Sequence, residues 1–323
     1  MSTHSTTAPE RPWHDLSGRD LSVAALAVTV VLWASAFVGI RAAADSFSAG
    51  PLSLGRLVVA AIVLTVLARP WRHRLPSGRP FLLLVLAGIT WFGAYNVALN
   101  AGEQQVDAGT AALVVTVGPI LIALFAGVLL KEGFPRPLLI GIAVAASGVV
   151  LISLSTRDAS AVDTASTAGV LLCLAAAVLY AVGALAQKPT LTVVTPVMSV
   201  WVMCVVGAVV CLPYLPALVR EAGSASTSDI VWMVYLGVFP TAIGFSTWSY
   251  ALKRLSAGQV ASATYLVPAV ATLISWVMLD EVPAALAFVG GGLCLVGVAI
   301  TRYRKRGPAA ASPGPAGSRT RSG

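Results

Sequence analysis

The stretch 108-AGTAALVVTVGPILIALFAGVLLKEGFPRPLLIGIAVAASGV-149 decides the fold, because it returns as 257-AGQVASATYLVPAVATLISWVMLDEVPAALAFVGGGLCLVGV-298. The two stretches align without a gap at a shift of 149 residues, which places Pro119 on Pro268 and Glu132 on Glu281. An internal repeat defines the folding unit and is therefore sought first. Here the unit is a pair of apolar helices joined at a glutamate, and the chain uses it twice.

The composition identifies the medium in which these helices lie. Of 323 residues, 57% are hydrophobic and only 11% are charged, too few polar residues for the surface of a water-soluble domain of this length. We therefore predict an all-α integral membrane protein. The four cysteines fall in apolar runs and are expected to be buried thiols without disulfides.

Ten apolar runs are each long enough to cross about 30 Å of hydrocarbon as a helix. Their predicted ranges are 21–40, 50–68, 81–100, 108–130, 137–155, 168–187, 196–217, 229–250, 257–279 and 284–301. The joints between them are short and rich in Gly, Pro, Ser and charge, which leaves no room for a soluble domain. The predicted domains are a cytoplasmic N-terminal segment (1–20), a first five-helix repeat (21–155), a second (168–301) and a basic, disordered cytoplasmic tail (302–323).

Basic residues give the orientation of these helices. Of the 21 Lys and Arg residues, Arg56 falls inside a span, and only Arg41, Arg157 and Arg220 fall in joints on the side of the membrane opposite to the two termini. Cytoplasmic joints carry the excess of Lys and Arg, so we expect both termini in the cytoplasm and the protein in the cell membrane. With five helices in each half, the two repeats then face opposite ways. Such inverted repeats let a carrier open alternately to the two sides around a site at the midplane.

The chain resembles the EamA-type carriers of the drug/metabolite transporter superfamily. The resemblance rests on the two five-helix halves, on the Ala-Gly pair that begins the fourth helix of each half and on the glutamate at each joint. It also rests on 33-WASAF-37, Arg56 and 248-WSYALKRLSAG-258, and it covers residues 21 to 301. Members of that superfamily move amino acids, other metabolites, nucleotide sugars or drugs. The resemblance therefore implies a secondary transporter of a small metabolite such as an amino acid, with export as the expected direction and a drug exporter as the alternative.

Polar and aromatic side chains within the spans are the candidates for a solute path, because polar groups are costly in hydrocarbon. The site is expected near the midplane, between the two halves. Its predicted residues are Trp33, Arg56, Tyr95, Asn96, Tyr180, Trp248 and Tyr265. The Arg56 guanidinium can bind a carboxylate or phosphate of the solute, or its stem can extend to the membrane surface and serve structure alone. The aromatic residues suit either a cavity wall or packing in the core.

Other repeated residues have expected roles in the backbone. Pro119 and Pro268 lack an N–H, and we expect them either to bend matching helices beside the cavity or to be purely structural kinks. Glu132 and Glu281 are expected to cap the helices that follow them. Four glycines are expected to let helices approach closely, within a protomer or across a homodimer. They are Gly141, Gly148, Gly290 and Gly297.

Several classes of function lack the residues that they need. No Asp or Glu falls in the middle of a span, so the buried carboxylate with which small multidrug carriers of this superfamily exchange a proton is missing. The sequence also has no phosphate-binding loop, no metal-ligand spacing and no nucleophile with a base. We therefore expect no cofactor, no metal and no nucleic-acid partner, only a small-molecule solute and the lipid bilayer. An integral membrane enzyme would need clustered His, Asp or Glu, and a channel would need a continuous polar lining. Both are remote alternatives.

Overall fold

The computed structural model describes residues 18–43, 46–103, 105, 114–155, 167–279 and 285–301. All regular secondary structure within these ranges is helical, which confirms the all-α part of the prediction, while the count of ten transmembrane helices in two inverted repeats stays a prediction. The α-helices are α1 Gly18–Ala43, α2 Ala49–Ala68, α3 Arg79–Ala87, α4 Tyr95–Glu103, α5 Val117–Leu129, α6 Arg136–Ser155, α7 Thr167–Thr190, α8 Pro196–Cys211, α9 Leu215–Ser224, α10 Thr227–Leu236, α11 Phe245–Arg254, α12 Ala257–Ser262, α13 Leu266–Leu279 and α14 Ala285–Thr301. Two π-helical segments, Gly88–Ala94 and Gly237–Gly244, join α3 to α4 and α10 to α11, and the 3₁₀ turn Ala263–Tyr265 joins α12 to α13.

Six of the described helical segments are long and apolar enough to cross a bilayer. They are Asp20–Ile40, Ala49–Arg72, Arg79–Gly102, Thr167–Thr190, Pro196–Ser224 and Thr227–Arg254. Shorter apolar helices accompany them at Val117–Leu129, Arg136–Ile152 and Phe288–Thr301. Large apolar side chains are exposed along α2 at Ile62, Val66 and Leu67, where contact with lipid chains suits them. These features are those of a membrane protein that crosses the bilayer several times.

The predicted span 196–217 differs from the helix that the structure contains. α8 ends at Cys211, and a 3₁₀ turn then leads into α9, which continues to Ser224. Pro213 and Pro216 explain the break, because a proline has no N–H to donate to the preceding turn. The start of the predicted fourth span, 108–113, lies outside the described residues, as do residues 1–17 and 302–323.

The two π-helical segments were not predicted. They occupy equivalent positions in the two halves of the chain. Gly88 and Gly237, the residues that begin them, are 149 positions apart. Both glycines are required by close packing, because a Cβ on Gly88 would lie 2.7 Å from the Cβ of Val206, and one on Gly237 would lie 2.6 Å from the Cβ of Val59. Each π segment therefore occurs where a neighbouring helix presses against the backbone in the middle of a long helix.

The glycine-rich helices α6 and α14 pack against each other inside the protomer. A Cβ on Gly141 would lie 2.5 Å from the carbonyl oxygen of Gly297, and a Cβ on Gly148 would lie 2.5 Å from that of Gly290. Since Gly148, the later residue on α6, faces Gly290, the earlier residue on α14, the two helices run in opposite directions. Cys294 lies at the same contact and donates to the carbonyl oxygen of Ala145 at 3.5 Å. All four cysteines are free and buried, as predicted.

Candidate solute-binding cavity

A cavity of about 160 Å³ lies between the two halves of the chain. It is lined by Trp33, Ala36, Ile40, Arg56, Trp91, Tyr95, Asn96, Leu99, Asn100, Val115, Thr116, Pro119, Tyr180, Phe245, Thr264, Tyr265, Val267 and Pro268. The predicted site residues Trp33, Arg56, Tyr95, Asn96, Tyr180 and Tyr265 are all among them. Both repeated prolines also line it, although whether they bend during a transport cycle stays a prediction.

A cluster of aromatic rings forms one wall of the cavity. The ring of Trp33 meets Trp91 edge-on at 6.4 Å between centroids and meets Phe245 at 5.0 Å. The Trp91 ring in turn meets Tyr180 at 5.1 Å. Trp248, which we predicted in the site, does not line the cavity, because its fully buried ring stacks on Trp33 at 5.1 Å. It therefore positions Trp33 and has no contact of its own with the cavity.

Arg56 brings a positive charge to this mostly apolar cavity. Its side chain is 7% exposed, so its stem does not extend to the membrane surface. Nε and Nη2 donate to Thr241 Oγ1 at 3.1 and 3.0 Å, and the Thr241 hydroxyl donates to the carbonyl oxygen of Leu236 at 2.7 Å. These contacts hold the guanidinium against the second π segment, and thus join the two halves. No carboxylate of the described residues pairs with it, since the one ion pair there joins Lys188 to Glu132.

Two asparagines on α4 continue this polar wall. Asn96 Nδ2 donates to the carbonyl oxygen of Phe92 at 2.8 Å, within the first π segment. Asn100 Nδ2 donates to Ser53 Oγ at 3.1 Å and to the carbonyl oxygen of Ala49 at 3.3 Å, both on α2. Asn100 lines the cavity but was not among the predicted site residues, although it lies about one helical turn from Asn96.

Two tyrosine hydroxyls of the cavity differ in how they are satisfied. Tyr265 Oη donates to the carbonyl oxygen of Thr116 at 3.3 Å. Tyr180 Oη is buried and makes no hydrogen bond of good geometry with the described residues. A buried hydroxyl without a partner costs about 1–3 kcal/mol, and a ligand atom can relieve that cost.

Glu132 has a different partner from the one that its sequence position predicts. We expected it to cap the helix that follows it, but its carboxylate accepts from the backbone N–H of Ala257, with Oε2 at 2.8 Å. It therefore caps α12, in the other half of the chain. Lys188 Nζ lies 3.8 Å from Glu132 Oε1 and donates to the carbonyl oxygens of Leu252 and Leu255. The expected cap by Glu281 lies outside the described residues.

Comparisons with known proteins agree on one family. The model of the EamA-like transporter family matches residues 21–154 and again 167–303. A protein of Streptantibioticus cattleyicolor named "Probable terminal-alkyne amino-acid exporter" is 40% identical over 286 residues, which cover 88% of this chain and 95% of that relative. The "Uncharacterized transporter YdfC" of Bacillus subtilis is 33% identical over 270 residues, with 84% and 87% covered. A solved structure described as "Crystal structure of protein" has the same fold, with a TM-score of 0.72 at 21% identity over 88% of this chain and 98% of that one.

Proposed function

Because this chain belongs to the EamA-like transporter family, we propose that it is a secondary transporter that exports a small amino acid, or a related metabolite, across the cytoplasmic membrane by alternating access. The observation that carries the proposal is the buried Arg56 guanidinium, which lines the cavity without a carboxylate partner among the described residues. A buried charge is stable only when it is paired or well hydrogen-bonded, and one neutral hydroxyl from Thr241 compensates it poorly. A carboxylate on the solute supplies the missing partner.

The proposed mechanism needs two inverted repeats, and three contacts between equivalent parts of the two halves support them. α6 and α14 are equivalent under the 149-residue shift and run in opposite directions. The hydrogen bonds from Tyr265 to Thr116 and from Cys294 to Ala145 each join residues 149 positions apart. Residues that touch their own equivalents lie near a two-fold axis. Thr116 and Tyr265 also line the cavity, so the site lies at that axis, where both sides can reach it in turn.

The rest of the cavity suits the apolar body of a small solute. Its aromatic wall offers contact area at little cost in side-chain entropy, while Arg56 orients one charged group. The volume of about 160 Å³ is below the roughly 300–1,000 Å³ of pockets for drug-sized ligands, which favours a metabolite over a drug. A fixed cation in the wall also disfavours the cationic drugs that an aromatic cavity would otherwise accept. The relative named an amino-acid exporter supports the same substrate class.

Transport by Arg56 variants in proteoliposomes tests this function. Arg56→Lys keeps the charge but loses the two-pronged geometry, so we expect about 10-fold weaker uptake of L-leucine. Arg56→Ala also loses the charge and should reduce transport by about 100-fold, as expected for a buried charge-assisted pair. Arg72→Ala, at an exposed arginine outside the cavity, is the matched control and should transport normally.

Two results would contradict the proposal. One is an Arg56→Ala protein that transports leucine at the wild-type rate. The other is an Arg56→Ala protein that fails only because it does not reach the membrane, which blotting of membrane fractions and size-exclusion chromatography reveal. Either result would make Arg56 a structural residue.

A further inference from the structure

The amide groups of Asn96 and Asn100 have a defined orientation. The nitrogen of each donates to a backbone carbonyl oxygen, of Phe92 for Asn96 and of Ala49 for Asn100. A carbonyl oxygen can only accept, so the amide nitrogen must face it and the amide oxygen must point the other way. Neither Oδ1 has a hydrogen-bond partner among the described residues, and neither is a fully buried orphan atom. Both residues line the cavity, so the two oxygens are candidates to accept hydrogen bonds from a solute.

These two acceptors lie on the same wall as the Arg56 guanidinium. Asn96 and Asn100 are four residues apart on α4 and so project from one face of the helix. Asn100 reaches across to Ser53 Oγ at 3.1 Å, and Ser53 precedes Arg56 by three residues on α2, which is about one helical turn. The wall therefore combines a fixed cation with neighbouring neutral acceptors.

Neutral acceptors beside a cation select a particular kind of solute. A solute ammonium group needs oxygen acceptors, and no Asp or Glu of the described residues lines the cavity. The amide oxygens of Asn96 and Asn100 are strong neutral acceptors without a partner among the described residues. We infer that Asn96 and Asn100 bind the α-ammonium group of the solute while Arg56 binds its carboxylate, so that the cavity recognises both charged groups of an α-amino acid. This inference rests on the proposed function and adds the group that distinguishes an amino acid from a simple carboxylic acid.

Three probes that share the branched side chain of leucine separate the two contacts. L-Leucine carries both groups, 4-methylpentanoate carries only the carboxylate, and 3-methylbutylamine carries only the ammonium. Their binding to the purified full-length protein is measured by isothermal titration calorimetry. Wild-type protein should bind leucine roughly 10- to 100-fold more tightly than the acid, as expected for losing hydrogen bonds to a charged group. Asn96→Ala and Asn100→Ala should each weaken leucine binding by about 10-fold and leave the acid within about 2-fold.

Asn100→Asp distinguishes a solute contact from a structural role. The new carboxylate adds a negative charge to the wall that holds Arg56, and it loses the amide N–H that donates to Ser53 Oγ and to the carbonyl oxygen of Ala49. The variant should bind the amine more tightly and the acid more weakly than wild type. A residue that only supports the fold would move the affinities of both probes in the same direction.

The outcomes for this inference and for the proposed function differ. Wild-type protein that binds acid and leucine equally, or Asn100→Ala that keeps the wild-type preference for leucine, overturns the ammonium site. Equal shifts of acid and amine in Asn100→Asp do so too. If Arg56→Ala still weakens the acid in these cases, the carboxylate contact stands. Wild-type protein that binds none of the three probes, or Arg56→Ala with unchanged affinity for the acid, overturns the proposed function itself.

Discussion

Tyr180 and Tyr265 offer a matched pair for testing the cavity one atom at a time. Tyr180 Oη is a buried orphan, so Tyr180→Phe removes an unsatisfied group and should leave the melting temperature unchanged or raised. Leucine binding should weaken by about 5-fold, because the solute loses a hydrogen bond worth about 1 kcal/mol. Tyr265→Phe loses its bond to Thr116 and should cost about 1 kcal/mol of stability. A Tyr180→Phe protein with lowered stability and normal leucine binding would contradict this account of the hydroxyl.

At the scale of single residues, the sequence predicted which types belong in the cavity better than it predicted their partners. Depth along the apolar runs was enough to select Trp33, Arg56 and Tyr180. It could not separate Trp248 from Trp33, because which of two neighbouring rings faces the cavity depends on packing between distant helices. The repeat shift also gave no sign that Glu132 reaches Ala257, 125 residues away.

At the scale of the element, the repeated glycines predicted a helix contact that hydropathy did not. The glycines of α6 and α14 had been expected at a close helix contact, and the structure places that contact inside the protomer. The π-helical segments were not predicted, because the pattern of apolar residues does not show where a turn of a helix contains one extra residue. The 149-residue spacing of Gly88 and Gly237 was the signal that could have found them.

The contact between α6 and α14 predicts a sharp difference between two glycines. Gly148→Ala places a methyl group against the carbonyl oxygen of Gly290 and should destabilise the protein by about 1–3 kcal/mol. Gly292→Ala, on α14, meets no atom within 4 Å and should be neutral, or stabilising by up to about 1 kcal/mol through helix propensity. Thermal unfolding in detergent measures both. Equal stability of the two variants would show that α6 and α14 do not pack as closely as described.

At the scale of the whole molecule, alternating access requires two inverted halves with the cavity between them. The family and its duplicated unit are established by the matches over 21–154 and 167–303. The placement of both termini in the cytoplasm rests on the distribution of Lys and Arg and stays a prediction. Composition and repeats were enough to predict the membrane location and the duplicated unit, because membrane insertion depends on the length, hydropathy and charge of each segment more than on contacts between distant residues.

Accessibility of Ala36→Cys from the two membrane faces tests alternating access most directly. Ala36 lines the cavity, and its small side chain lets a cysteine replace it with little disturbance once the four buried cysteines are changed to alanine. A membrane-impermeant thiol reagent should modify this cysteine in right-side-out vesicles and also in inside-out vesicles, and leucine should slow both reactions. Ala60→Cys, buried outside the cavity, should react in neither. Reaction of Ala36→Cys from one face only, with and without leucine, would contradict alternating access through this cavity.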